Sequence, residues 1–177
     1  DICLLLIDAT RGIEAQDLNI ISLILKNNKG MIILVNKWDL IEKENNTALQ
    51  TEKEIRSKTA PFTDYPILFI SATNKQRIHR ILETVDMVNE NRNRKILTSQ
   101  LNDVLLEIVR DNPPPSARGK FIKIKYVTQL PVYTPSFAFF CNFPEHIKEP
   151  YKRYVENRMR EKFEFSGVPI RIFFRKK

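Results

Sequence analysis

The sequence predicts an α/β module built on a parallel sheet, followed by a smaller α+β module. Three observations carry that prediction. Over the first half, short apolar runs alternate with helical periodicity in the order β-α-β-α-β-α, which a parallel sheet with right-handed crossover helices requires. Over the second half the order becomes α-β-β-α-β. Charge breaks at the same place: residues 1–94 carry thirteen basic and thirteen acidic side chains, so the whole net charge of +8 falls in residues 95–177, sixteen basic against eight acidic. Such asymmetry marks two modules, the second facing a polyanion. The boundaries are set at 1–94 and 95–177, joined through NENRNRK (89–95), which lacks Gly and Pro and reads as short and stiff.

In the first module ICLLLID (2–8), MIILVN (31–36) and PILFISA (66–72) are near-continuous apolar runs, the pattern of parallel strands covered on both faces. Between the first two, Leu18, Ile21 and Leu25 recur at helical spacing, with Gly30 able to end the helix. A more polar helix runs through NTALQTEKEIRSK and stops before Pro61, and a third places Ile78, Ile81, Leu82, Val85 and Val88 on one stripe. In the second module a helix with Leu97, Leu101, Val104, Leu105 and Ile108 inward is halted by Pro113, Pro114 and Pro115. KFIKIKYVTQ (120–129) alternates as a half-buried strand, with Ile122, Ile124 and Tyr126 on one face and Lys123 and Lys125 on the other. SFAFFCNF is a second strand and VPIRIFFRKK a third. The helix between them carries Tyr151, Tyr154, Val155, Met159 and Phe163. Two helices on one face of a small three-stranded sheet result.

A chain of 177 residues buries roughly 70% of its unfolded surface, so its core needs no staple. No apolar run approaches a membrane span. Cys3 and Cys141 sit alone among hydrophobes and read as reduced, which points to a reducing, cytoplasmic compartment. His79 and His146 have no Cys or carboxylate at ligand spacing, so no metal site is expected. The chain opens on DICLLLIDAT, already inside a strand, and is expected to be a fragment.

ILVNKWDL (33–40) ends an apolar strand in an amide, an ammonium and a carboxylate. Ligands of open α/β sheets bind beyond the carboxyl ends of the strands, where these groups stand together with Ser71 and Ala72. The Asp39 carboxylate can accept from N1 and the exocyclic amine of guanine, at roughly 1.5–3 kcal/mol per charged hydrogen bond. Adenine offers a lone pair there, so discrimination reaches about 10⁴. The Lys37 stem can lie along the base, the Asn36 amide can tie the loop to its neighbours, and backbone N–H groups near Ala72 can donate to guanine O6.

On NKWDL, ISAT, LLLIDATRGIEAQDLNI, NPPP, GKFIKIKYVTQ and YKRYVENRMREKFEFSGVPIRIFFR, the chain resembles the bacterial EngA/Der family, a branch of the Era-like GTPases, over essentially its whole length. The match is to the C-terminal half of the second GTPase domain, a partial parallel-sheet P-loop GTPase of three strands and three helices, and to the KH-like domain after it. The resemblance carries the fourth GTPase motif onto Asn36, Lys37 and Asp39, and the fifth onto Ser71 and Ala72. It implies binding and hydrolysis of GTP, with GDP as product and Mg²⁺ in the intact protein, two tandem GTPase domains, and assembly of the large ribosomal subunit through rRNA. The P-loop, G-x-x-x-x-G-K-[ST], is missing: no two of Gly12, Gly30, Gly119 and Gly167 have its spacing. The resemblance places it, with the Mg²⁺ ligands, upstream of Asp1. This chain alone is therefore expected to be inactive as a GTPase, and its strand 2–8 to be an exposed apolar edge that self-associates or is partly disordered.

In the second module Lys123, Lys125, Arg171, Phe173 and Arg175 are expected on the sheet face away from the helices, joined by Phe137 and Phe139 or by Ala138 and Phe140. Cations around aromatics suit single-stranded RNA, and the same face suits docking onto the upstream GTPase domains of the same protein. No G-x-x-G loop, the usual grip of KH domains, is present. The rival reading is an RNA-binding scaffold with a vestigial nucleotide loop.

Overall fold

The structure, a computed structural model, describes residues 1–177 except Lys43, Ala117, Arg118 and Lys120. It forms two compact units: Asp1–Arg92 with Ser166–Pro169, and Asn93–Phe165 with Ile170–Lys177.

In the first unit β1 (Ile2–Asp8), β2 (Gly30–Asn36) and β3 (Ile67–Phe69) make a parallel sheet in the order β1-β2-β3. The register runs from Ile2 opposite Gly30 to Asp8 opposite Asn36, so β1 and β2 end level. Helices α1 (Ala15–Lys26) and α2 (Thr47–Lys58) cover one face, setting Ile21, Ile24 and Ile55 among Leu5, Ile7, Ile33 and Val35. On the other face α3 (His79–Asn93) places Val88 against Ile32, Leu34 and Ile70, and Val168 completes that cluster. Met31, Ile32 and Ile33 are fully enclosed. Burying such a side chain contributes about 1.5–3 kcal/mol.

Several sequence expectations need correction here. The chain reverses after α1 at Asn28, whose φ of 52° is left-handed, and Gly30 opens β2 instead of ending the helix. Gly30 is small for a packing reason: a Cβ there lies 3.2 Å from Ile2 Cγ1 and from Val88 Cγ1. The third strand spans only Ile67–Phe69 rather than 66–72. The first strand, Ile2–Asp8, is not covered on both faces, since Leu4 and Leu6 are 42% and 54% exposed. In α3, Leu82 of the expected inward stripe is 69% exposed, because the helix packs through Ile81, Val85 and Val88.

The second unit contains α4 (Thr98–Asp111), β4 (Ile124–Gln129), β5 (Ser136–Cys141), α5 (Glu149–Lys162) and β6 (Arg171–Lys176), in the expected α-β-β-α-β order. Central β5 is antiparallel to β4 and parallel to β6. Leu101, Val104, Leu105 and Ile108 of α4 join Tyr151, Val155 and Met159 of α5 over Phe137, Phe139 and Cys141. The predicted strand 120–129 begins only at Ile124, and its first residue, Lys120, lies outside the described residues.

β4 carries an irregularity that alternation alone does not foresee. The register shifts between Ile124, opposite Cys141, and Tyr126, opposite Phe140, which leaves Lys125 as the extra residue of a bulge. The parity of the strand flips there. Tyr126, expected toward the helices with Ile122 and Ile124, instead stacks on Phe140 of the other face at 4.6 Å, and Val127 enters the core.

Side-chain amides complete the backbone pairing around this bulge. Asn102 donates to Val127 O at 3.2 Å and accepts from Val127 N at 3.0 Å. Gln129 donates to Arg94 O at 2.8 Å and accepts from Ile96 N at 2.9 Å. Asn142 donates to Phe121 O and accepts from Lys123 N, both at 2.9 Å. Among the described residues no helix is long and apolar enough to cross a membrane.

The segment Ser166–Pro169 sets a test of packing in the first unit. Gly167 donates to Asp64 O at 2.9 Å and accepts from Met31 N at 2.7 Å, with φ of +79°. A Cβ there would meet Val88 Cγ2 at 2.6 Å and Met31 O at 3.1 Å. Gly12 is also left-handed, at φ +71°, but has nothing within 4 Å. Gly167→Ala is expected to cost about 2–4 kcal/mol and Gly12→Ala about 1–2 kcal/mol. Urea unfolding followed by fluorescence of Trp38, the one tryptophan, measures both; equal losses would assign the effect to backbone conformation alone.

Candidate guanine loop and basic sheet face

The three parallel strands of the first unit bring the loop residues together at their carboxyl ends. Asn36 closes β2, and the pairing continues past β3: Ile70 N donates to Val35 O at 2.9 Å and Trp38 N to Ile70 O at 3.0 Å. On the other side Ala9 N donates to Asn36 O at 2.9 Å. The NKWD turn is thus held by backbone on both flanks.

Side chains fix the rest. Asn36 Oδ1 accepts from Ala72 N at 3.0 Å, the tie between loops that the sequence predicts. Asn74 Nδ2 donates to Asp39 Oδ2 at 3.1 Å, which orients the half-buried carboxylate across the two loops. Ser71 is buried and its Oγ accepts from Asn74 N at 3.2 Å, so its hydroxyl helps shape the loop. Since Ala72 N is engaged by Asn36 and Lys75 N reaches Ala72 O, the amide near Ala72 without an acceptor among the described residues is Thr73 N–H.

Lys37 has φ of 61°, a left-handed conformation that costs a non-glycine residue about 1–2 kcal/mol. Two contacts hold it. Trp38, next in the chain, is 5% exposed with its ring 4.3 Å from that of Phe69. The Lys37 ammonium donates to Asp8 Oδ2 at 2.6 Å. Asp8 Oδ1 meanwhile accepts from Thr10 N at 2.9 Å and Thr10 Oγ1 at 2.7 Å. The Lys37 hydrogen bond, helped by those from Thr10, lowers the Asp8 carboxyl from its ordinary 3.8 to about 2. Asp8, Asn74 and Trp38 were not singled out in the sequence, although Asp8 ends the first apolar run just as Asn36 ends the second.

On the open face of the second unit's sheet, pairing places Arg171 opposite Ser136, Phe173 opposite Ala138, and Arg175 opposite Phe140. Phe140 and Ala138 therefore join the cations, while Phe137 and Phe139 face the core. The Arg171 guanidinium lies 4.8 Å from the Phe173 ring centroid and that of Arg175 5.8 Å from it. Lys177 stands 5.3 Å from the Tyr126 ring, which the bulge has brought to this face. Lys123 and Lys125 are exposed on the β4 side. None of Lys123, Lys125, Arg171 and Arg175 has a carboxylate at ion-pair distance among the described residues. Arg158, by contrast, is a structural cation, bound to Asp111 and Glu161 at 2.7 Å each.

Comparison with known proteins agrees with this division. Residues 1–91 match the family described as the elongation factor Tu GTP-binding domain. Residues 95–175 match the KH-domain-like family of EngA bacterial GTPase enzymes, C-terminal. The whole chain is 53% identical to the GTPase Der of Porphyromonas gingivalis, 55% to that of Bacteroides fragilis and 54% to that of Christiangramia forsetii. It spans 41% of the length of each of these curated relatives. A guanine-type loop at the ends of parallel strands, followed by a KH-like α+β unit, is thus met in sequence as well as in geometry: the chain belongs to the EngA/Der family of GTPases.

Proposed function

We propose that the chain supplies the base-reading half of a GTPase that acts in assembly of the large ribosomal subunit in the cytoplasm, with its basic sheet face contacting rRNA. One observation carries the nucleotide reading: Asn36 and Asp39 are cross-linked to Ala72 and Asn74, so a carboxylate and a free amide converge at the strand ends. The fit to guanine follows from chemistry. Asp39 accepts from N1 and the amine, Thr73 N–H donates to O6, and the Lys37 stem lies along the ring. Asp8 holds Lys37 in its left-handed turn, which makes Asp8 a positioning residue. Hydrolysis needs the phosphate loop and Mg²⁺ ligands that the sequence does not contain.

The rRNA reading is supported by exposure and charge: Arg171 and Arg175 are exposed cations around the half-buried Phe173, and Lys123 and Lys125 are exposed on the β4 side. The bare Leu4 and Leu6 support contact of β1 with further polypeptide, of the same protein or of a second copy.

In the full-length protein containing this chain, Asp39→Asn is expected to weaken GDP binding by at least about 100-fold and to shift preference toward xanthosine diphosphate, as titration calorimetry would read. An unchanged guanine preference would favour the scaffold reading, and single-turnover GTP cleavage by the 177-residue chain alone would refute the missing phosphate half. Asp8 adds a pH signature. Because its folded pKa lies below the ordinary 3.8, its contribution to stability is complete above that value and is lost as pH falls through about 2. Asp8→Asn should therefore flatten the acid limb of unfolding between those values and leave the neutral-to-alkaline limb parallel. For β1, sedimentation of the chain should show reversible self-association that Leu6→Glu abolishes; a monomer at high concentration would refute it.

A further inference from the structure

The open sheet face is not uniform, and one end of it carries a hollow. The connection from β4 to β5, Leu130–Pro135, borders that end and forms with the sheet an open hollow of about 300 Å³. Phe173, Arg171 and Arg175 line the sheet side; Val132 and Tyr133 line the loop side. Tyr133 is 90% exposed and Val132 58%, so an aromatic ring and an aliphatic side chain stand bare side by side at the rim of the hollow.

The loop is stiff. Leu130 N donates to Ser136 O at 2.8 Å, Val132 N to Leu130 O at 2.9 Å and Ser136 Oγ to Thr134 O at 2.8 Å. Pro131 and Pro135 restrict the backbone at both ends. A preformed aromatic lip lowers the ordering cost of binding. No carboxylate lines the cavity, and the two guanidinium groups, unpaired among the described residues, frame the Phe173 ring.

The geometry points to a pocket for one unpaired nucleotide of single-stranded RNA, its base stacked on Tyr133 and its flanking phosphates on Arg171 and Arg175. This rests on the rRNA reading above, single-stranded as the sequence already suggests, and adds to it the loop that grips the strand. A base is flat and offers a π-face to Tyr133; its phosphates match the fork geometry of arginine. A duplex keeps its bases stacked on each other and offers no free face. An acidic peptide satisfies the arginines but has no use for the exposed ring.

The test uses the intact 177-residue chain and a fluorescein-labelled, unstructured RNA of about twelve nucleotides, compared by anisotropy with the same sequence as a duplex. Tyr133→Ala is expected to weaken single-strand binding about tenfold and duplex binding less than about twofold, while Tyr133→Phe retains the affinity. Arg171→Gln and Arg175→Gln should each lower the salt slope by about one. With 4-thiouridine in the strand, photo-crosslinks should map to Leu130–Pro135. If the chain binds the strand and Tyr133→Ala changes nothing, with crosslinks elsewhere, the pocket is refuted and the rRNA reading stands. If the chain binds no RNA at low salt, that reading fails and the pocket with it. Competition by polyglutamate that depends on Tyr133 would overturn the assignment in favour of an acidic protein segment. The near-total exposure of Tyr133 lets its variants fold, which circular dichroism verifies.

Discussion

The first unit depends on the burial of one strand. β2 is enclosed from Gly30 to Val35 and emerges only at Asn36. With apolar side chains packed on both of its faces, a slip of one residue in register would exchange the two cores and is strongly disfavoured. The end of β2 is consequently fixed relative to β1 and β3, and every contact of the NKWD turn is measured from that end. The backbone bonds Ala9 N to Asn36 O and Trp38 N to Ile70 O transmit the register outward. A left-handed lysine is tolerable there because its surroundings leave it no alternative: Trp38 is anchored on Phe69 and the ammonium on Asp8.

Where regular pairing runs out, side-chain amides take over its role. A primary amide carries its oxygen and one of its two N–H donors on the same side, so it can pair with the N–H and C=O that a strand residue turns outward and complete an interrupted ladder without burying charge. Asn102, Gln129 and Asn142 do this around the β4 bulge, and the Asn36 oxygen supplies an acceptor between the two loops at the strand ends. The same chemistry therefore stabilises a structural irregularity in one unit and the candidate loop in the other. Each amide also closes a contact between segments distant in sequence, up to 36 residues apart for Asn36 and Ala72.

The element order and the polar cluster at the strand ends were legible because they rest on local periodicity and on a motif with a fixed place in its fold. What was not legible depended on tertiary context. Alternation assigned Tyr126 to the core, and a single extra residue, Lys125, reversed it. Leu4 and Leu82 have the character of buried residues, and only the packing line of α3 shows that they are bare. Gly30 looked like a helix stop, yet its role is set by Ile2 and Val88 crowding its α-carbon. For Ser71, the resemblance gives a place in the guanine motif, and the structure adds that its Oγ accepts from Asn74 N. Asp8 and Asn74 act on Lys37 and Asp39 across gaps of 29 and 35 residues, which no local pattern encodes.

The two proposed sites would handle a nucleobase in opposite ways. At the strand ends the donors and acceptors are pinned by neighbours, so a base with the wrong proton pattern would leave a carboxylate or an amide unpaired, the condition for sharp discrimination. On the sheet face the groups on offer are ring faces and guanidinium groups, which suit any base and any phosphate. Rigidity explains the contrast. Asp39 is oriented by Asn74 and offers a directional pattern, whereas Tyr133 projects into solvent from a stiff loop and offers only area. On the proposed reading, a protein built from both would recognise one small nucleotide exactingly while gripping a long RNA permissively, with the chemistry of the side chains dividing those tasks between its units.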